Sequence, residues 1–383
     1  MVTENKRSSL DLATILREHQ QEFMKNNHRL CPDQRKAFTA ISCCRTAAMG
    51  AHADICQECG HQQVSYNSCR NRHCNKCQYT RQLVWVDKLE SSLPVCRYFH
   101  VVFTIPSQLH RTFYINQRIC YKLLFKASAE ALQKVARNPD FLGAETGAMS
   151  VLHTWGQSLT YHPHIHMLVP AGGLSEDGME WINAGKRFFL PVKVLSKVFR
   201  GALWDMLSTE IASGKVKLAD DHSELDSLKA AVYSKNWIVY VKKPLAGPQS
   251  VVRYLGKYTH RVAISNSRLV SMEDGKVTFQ WKDYRKRAGK GLLELEAGEF
   301  IDRFMRHILP SGFYKIRYYG ILATGNRKKR EQCVRLIGKS RPPALLQGLN
   351  PFQVVKIVTG KDPSVCPNCQ KGKLSPKIIL VPD

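Results

Sequence analysis

Two imidazoles two residues apart, His164 and His166, sit in the stretch Thr160-Tyr161-His162-Pro163-His164-Ile165-His166-Met167-Leu168-Val169. In an extended chain side chains alternate between faces, so His164, His166 and Leu168 share one face and Ile165, Met167 and Val169 the other. Neutral imidazoles one such repeat apart, roughly 6–7 Å, can converge on one metal ion. Alone the pair is weak, because most His-x-His pairs are surface or hydrogen-bonded residues. The second chemical group is sulfur: Cys56-Gln-Glu-Cys59-Gly60-His61, then Cys69-Arg-Asn-Arg-His73-Cys74-Asn-Lys-Cys77. Two C-x-x-C knuckles, the first followed by Gly, carry the spacing of a zinc ribbon, in which each knuckle turns two thiolates onto one ion. Cys56, Cys59, Cys74 and Cys77 are the expected ligands of a structural Zn²⁺, with Cys69 and His73 as substitutes in an unusual site and buried free thiols as the plain alternative. So small and polar a module depends on its metal to fold. A third knuckle, Cys366-Pro-Asn-Cys369, is half a site; it either recruits Cys31, Cys43 or Cys44 or is a redox-inert turn.

A third constellation lies in Ser250-Val-Val-Arg253-Tyr254-Leu-Gly-Lys257-Tyr258-Thr-His-Arg261-Val262. At about 100° per residue, Val251, Val252, Leu255, Thr259 and Val262 form an apolar face, and Arg253, Lys257, His260 and Arg261 a basic one. Tyr254 and Tyr258, four apart, fall on the border between them, where a phenol can rest against a sheet and still reach a phosphate. Ordinary tyrosines at a core margin are the bland alternative, and Gly256 makes the helix imperfect.

Charge points the same way. The 383 residues carry 57 Lys and Arg against 31 Asp and Glu, a formal net charge of +26 that favours a polyanionic partner, nucleic acid above all. Arg70, Arg72, Lys76 and Arg81 surround the second knuckle, so the ribbon is expected to touch phosphate. The polar N-terminus and the lack of any apolar run of membrane-spanning length lead to the expectation of a cytoplasmic, nucleoid-associated protein without membrane contact. Thirteen cysteines, an odd number at C-x-x-C spacing, favour metal over disulfides.

The elements that must position these groups follow from periodicity. Residues 10 to about 50 read as helices and 97–106 as a strand ended by Pro. One or two helices follow over 108–137, then strands at 149–155 and around the histidines. Helices are expected at about 192–213, 223–231 and 298–308, and strands at 237–241, 267–272, 276–281 and 314–319. The basic run Arg327-Lys-Lys-Arg330 is either a solvated face or a DNA contact. Four segments result: a helical segment 1–50, a zinc ribbon 51–92 that contacts DNA, a catalytic domain 95–325, and a basic tail 326–383 with the third knuckle. The pieces combine into one chemistry. A metal held by two histidines and a third ligand polarises a scissile phosphate, and a tyrosine attacks it as nucleophile.

The block His153-Thr-Trp-Gly-Gln157, then His162-Pro-His164-Ile-His166 and Gly172-Gly173, resembles the rolling-circle transposases of the IS91 class, members of the HUH endonucleases. Phe99-His-Val-Val-Phe-Thr104, Tyr254-Leu-Gly-Lys-Tyr258-Thr-His-Arg261, Ala263-Ile-Ser-Asn266, His307-Ile-Leu-Pro310 and Ser68-Cys-Arg-Asn-Arg-His-Cys74 match as well, in consistent order over nearly the whole chain. The resemblance implies an α+β, ferredoxin-like palm, an antiparallel sheet with flanking helices and the histidines on a central strand. It implies cleavage and transfer of single-stranded DNA at element ends through a 5′-phosphotyrosine, with Mg²⁺ or Mn²⁺ as catalytic ion. Carried over by residue, His164 and His166 hold the metal and Tyr254 and Tyr258 are the nucleophiles, as in the two-tyrosine members. His100 is the first choice for third ligand, with Gln157 and His162 behind it. Arg70, Arg72, Arg253, Lys257 and Arg261 are the expected DNA contacts. A plasmid replication initiator or relaxase with the same chemistry, or a non-catalytic zinc-dependent DNA-binding regulator, are the competing readings.

Overall fold

The computed structural model describes residues 10–26, 30–185, 190–219, 224–245, 263–283 and 289–380. Asp11 accepts a hydrogen bond from the Thr14 amide at 2.9 Å and so caps α1 (Leu12–Glu18), which α2 (Gln20–Asn26) and α3 (Pro32–Ser42) follow. A hairpin, β1 (Ala51–Cys56) and β2 (Gln62–Tyr66), leads to α4 (Tyr79–Ser92). Next come β3 (Tyr98–Thr104), α5 (His110–Ile115), α6 (Gln117–Arg137), β4 (Gly147–Trp155) and β5 (Tyr161–Pro170). A small hairpin, β6 (Gly172–Leu174) and β7 (Trp181–Asn183), precedes α7 (Val192–Ala212), α8 (Leu225–Tyr233) and β8 (Ile238–Leu245). The meander β9 (Leu269–Glu273), β10 (Lys276–Asp283) and β11 (Gly289–Glu296) runs into α9 (Ala297–Met305) and β12 (Ile316–Gly320). Finally α10 (Arg327–Ile337) and α11 (Pro351–Thr359) lead to β13 (Leu374–Leu380).

The central sheet is antiparallel throughout, in the order β12-β4-β5-β3-β8. Without β12, the succession β3-helix-β4-β5-helix-β8 in the spatial order 8-3-5-4 is the ferredoxin-like arrangement that the sequence led us to expect. One face carries Phe99, Val101 and Phe103 of β3 with Ile165, Met167 and Val169 of β5, all at most 2% exposed. They bury against α6 and α7. Helix α6 presents Cys120, Leu124, Ala127, Ala131 and Val135, a stripe of three- and four-residue steps. Burying each large apolar side chain contributes about 1.5–3 kcal/mol, so this core sets the register of β3, β4 and β5.

The opposite face is divided. Tyr98, Met149, Val151 and Leu168 are covered by Leu89 and Leu93, at the end of α4, and by Leu322 and Cys333. Beyond Val151 and Leu168, on the same face, the residues become histidines.

The N-terminal helices are not a separate body. Leu12, Ile15, Phe23, Phe38 and Ile41 share one core with Leu269, Val277, Phe279, Phe300 and Phe304, from β9, β10 and α9. Likewise β13 pairs with β1, from Ala51 opposite Leu380 to Cys56 opposite Leu374. The described residues of the segments 1–50, 51–92 and 326–383 therefore interlock with distant parts of the chain. Periodicity reveals local elements and is blind to such partners.

Candidate functional site

Strands β4 and β5 set His153 opposite His164 and Val151 opposite His166, which brings three imidazoles onto one face. Ring nitrogens of His153, His164 and His166 lie within 4.8 Å of one another. His164 Nδ1 donates to the His162 carbonyl at 2.6 Å, which fixes the tautomer and leaves Nε2 as the lone-pair donor. His166 Nδ1 lies 2.7 Å from His100 Nε2, with the two ring planes 6° apart. Burial holds His164 down to about 4 and His100 down to about 3, and His166 well below the ordinary 6.5, with neighbouring imidazoles adding to the effect. His100, His164 and His166 are neutral at physiological pH, the state in which an imidazole binds metal.

His100, the expected third ligand, stands elsewhere. The β3–β5 register places it opposite Leu168, one two-residue repeat past His166. From there its Nε2 meets His166 Nδ1, and it is not among the three rings whose nitrogens lie within 4.8 Å of one another. The third ring facing that space is His153, which is 3% exposed and stacked on Trp155 with ring centroids 4.5 Å apart. The sequence carried a signal for it: a hairpin turning at Gly156–Thr160 sets 153 against 164, but the irregularity between His153 and Trp155 obscures the count. His162 turns toward His110, and Gln157 sits in the turn with its carbonyl accepting from Arg268. His307 is buried too, but its nitrogens face Thr154 Oγ1 at 3.2 Å and the Leu159 carbonyl at 3.0 Å. It braces the β4–β5 turn. Tyr254 and Tyr258, with Arg253, Lys257 and Arg261, lie outside the described residues.

The sulfur atoms regroup. Cys56, Cys59, Cys74 and Cys77 do not form one site. Cys74 and Cys77 join Cys44 and Cys69, and Cys56 and Cys59 join Cys366 and Cys369. In the first cluster Cys74–Cys44 and Cys69–Cys77 are 3.6 and 3.8 Å apart; in the second, Cys56–Cys369 and Cys59–Cys366 are each 3.7 Å apart. Four sulfurs at the 2.3 Å zinc–thiolate distance on a tetrahedron are about 3.8 Å apart, so both donor sets fit Zn²⁺. The C-x-x-C spacing marks thiols that gather in fours; it does not give the partners, which the β1–β13 ladder and the loop after β2 choose. Cys69, held as a substitute, is a member of the first cluster, and Cys44, one of three candidates for the third knuckle, sits there instead.

Arg72, an expected DNA contact, has a structural task in the fold. Its guanidinium donates to the carbonyls of Leu309, Pro310 and Phe313, and His73 beside it accepts from the Leu309 amide. Lys76 pairs with Asp11 at 2.6 Å. Arg70 remains exposed. Among the described residues no helix is long and apolar enough to cross a membrane.

Comparison with known proteins gives the family. Residues 147–331, which include all three clustered histidines, match the family Y2_Tnp, described as "Putative transposase", and residues 15–105 match a "Transposase zinc-binding domain", Zn_Tnp_IS91. Over 379 residues the chain is 42% identical to "Putative transposase y4qJ" of Sinorhizobium fredii, covering 96% of this chain and 95% of the relative. Over 296 residues it is 30% identical to the transposase for insertion sequence element IS801 of Pseudomonas savastanoi pv. phaseolicola, covering 75% and 70%. No solved structure matches. Fold, histidines and cysteine clusters thus belong to a transposase. Within that class, the chain is a member of the IS91-type family with an N-terminal zinc-binding domain.

Proposed function

We propose that the protein cleaves and rejoins single-stranded DNA at insertion-sequence ends through a 5′-phosphotyrosine intermediate, as in rolling-circle transposition. The observation that carries the reading is the convergence of three imidazoles, His153, His164 and His166, on one face of the central sheet. A divalent ion bound there supplies Lewis acidity to a scissile phosphate. Of the two ions expected, an all-imidazole set suits Mn²⁺ better than the strictly oxygen-seeking Mg²⁺. The His162 carbonyl and His100 hold two of the rings in register. Exposed Lys242, paired with His100 across β3 and β8, adds positive charge on the same face. The phenolic oxygen of Tyr254 or Tyr258 attacks phosphorus, the P–O3′ bond breaks, and the departing 3′ oxygen takes up a proton as a hydroxyl. Two tyrosines let one hold the cut 5′ end while the other cuts or rejoins.

The test is a denaturing gel of the protein with labelled single-stranded element ends, with Mn²⁺ or with chelator. We expect a heat-stable adduct that needs the ion and is lost in Tyr254→Phe/Tyr258→Phe and in His153→Ala. An adduct surviving the double tyrosine change moves the nucleophile elsewhere. One surviving His153→Ala but lost in His100→Ala returns the third-ligand role to His100.

A further inference from the structure

The cluster Cys56, Cys59, Cys366 and Cys369 has no assigned role, and half of it lies outside both matched segments, which end at residues 105 and 331. We propose that it is a zinc site in its own right, a clasp between the β1–β2 hairpin and the segment that leads into β13, so that each molecule carries two structural zinc ions. The two halves have the same backbone construction. In the first, the Gly60 amide donates to the Cys56 carbonyl at 3.0 Å and the Cys56 amide to His61 at 2.9 Å. In the second, the Gln370 amide donates to the Cys366 carbonyl at 3.0 Å and the Cys366 amide to Gly372 at 2.8 Å. Gly60 and Gln370, each four residues after its first cysteine, adopt left-handed backbone with φ of 70° and 57°. A non-glycine residue seldom adopts that conformation without a reason, and here it completes a turn that aims two sulfurs outward.

The sulfur geometry supports one ion and opposes two disulfides. The close pairs run between knuckles, Cys56 to Cys369 and Cys59 to Cys366, each at 3.7 Å. A disulfide needs about 2.05 Å, whereas a tetrahedral tetrathiolate needs about 3.8 Å on every edge. The Gly372 amide donates to Cys369 Sγ at 3.3 Å, and Asn368 Nδ2 lies 3.7 Å from Cys59 Sγ, the kind of donor that steadies a ligating thiolate. A Cβ on Gly372 would meet Cys56 Sγ, so this backbone closes tightly over the sulfurs. The β1–β13 ladder begins at Cys56 opposite Leu374, directly beside the cluster. A centre there would hold together a small sheet whose outer strand, β2, is largely exposed.

Elemental analysis of the full-length, reduced protein tests this without reference to DNA cleavage. Two zinc ions per chain are expected, falling to one in Cys366→Ser/Cys369→Ser and to one in Cys74→Ser/Cys77→Ser. One zinc in the unaltered protein, two in Cys366→Ser/Cys369→Ser, or iron in place of the second zinc overturns the proposal. Alkylation of the unaltered protein, read by mass spectrometry, needs no variant to fold. Cys59 and Cys369 should resist iodoacetamide until a strong chelator is added, while exposed Cys31 reacts from the start as internal control. Labelling of Cys59 as fast as Cys31 before chelation also overturns it.

Discussion

The histidine cluster and the sulfur clusters are both gatherings of metal-binding side chains, yet they are held by different means. The imidazoles stand on two adjacent strands inside a five-stranded sheet, over a core of fully buried aromatics, and two of the rings are already oriented by the His162 carbonyl and by His100. Burial keeps His164 and His166 neutral, so the rings can sit together with no cation between them. The thiols sit on turns and strand ends, where β1 buries Ala51, Ala53 and Cys56 and β2 buries little. Hydrogen bonds from Cys74 and Cys77 push the Cys69 thiol up, because four thiolates cannot share so small a space unless a cation neutralises them. A preformed imidazole site can exchange its ion during a reaction cycle. A thiolate site becomes part of the fold.

Metal removal should separate the two most sharply. A strong chelator under reducing conditions should unfold the ribbon, a loss on the order of 10 kcal/mol of metal-linked folding energy. It would be seen as proteolysis within 51–92 and 363–380. Removing only a weakly held divalent ion should leave the melting of the central sheet within ~2 °C. A sheet that melts with the ribbon would break the distinction.

Acid should act on the imidazole half. Burial holds His307 down to about 4 from the ordinary 6.5, so its folded form is neutral while the unfolded chain takes up the proton first as pH falls. Its contribution is complete above pH 6.5 and is lost between 6.5 and about 4, on the order of 3 kcal/mol. Denaturant melts across that window should show the slope in the unaltered protein and a flatter one in His307→Gln.

Smaller changes sharpen the picture. His100→Ala should weaken divalent binding by about 10–100-fold through loss of orientation at His166, measured by calorimetry with Mn²⁺, with zinc content unchanged. Removal of the ribbon's exposed cation in Arg70→Ala should lower the slope of log affinity against log salt on single-stranded DNA by ~0.7. Arg72→Ala should instead destabilise the fold by leaving carbonyls of 309–313 without their donor.

What could be read from the sequence followed the same division. Strands β3, β4, β5 and β8, helices α6 and α7, and the pairing of His164 with His166 are all local periodic signals. Each appeared within a few residues of its expected place. The meander strand β11 and the terminal β13 were not expected, since neither alternates cleanly between apolar and polar residues. The role of His153 depends on hairpin register, and the cysteine partners depend on a strand pairing across more than three hundred residues. Arg72 shows the converse: a cation beside a knuckle looks like a phosphate contact until the carbonyls waiting for it come into view.

The pairing of β13 with β1 also governs when the molecule can be finished. One edge of β1 has no neighbour until Leu374–Leu380 leave the ribosome, so among the described strands the first made must wait for the last. A chain that stops before residue 374 leaves that edge of β1 open. Loss of that strand would thereby be felt more than three hundred residues earlier in the chain, at β1.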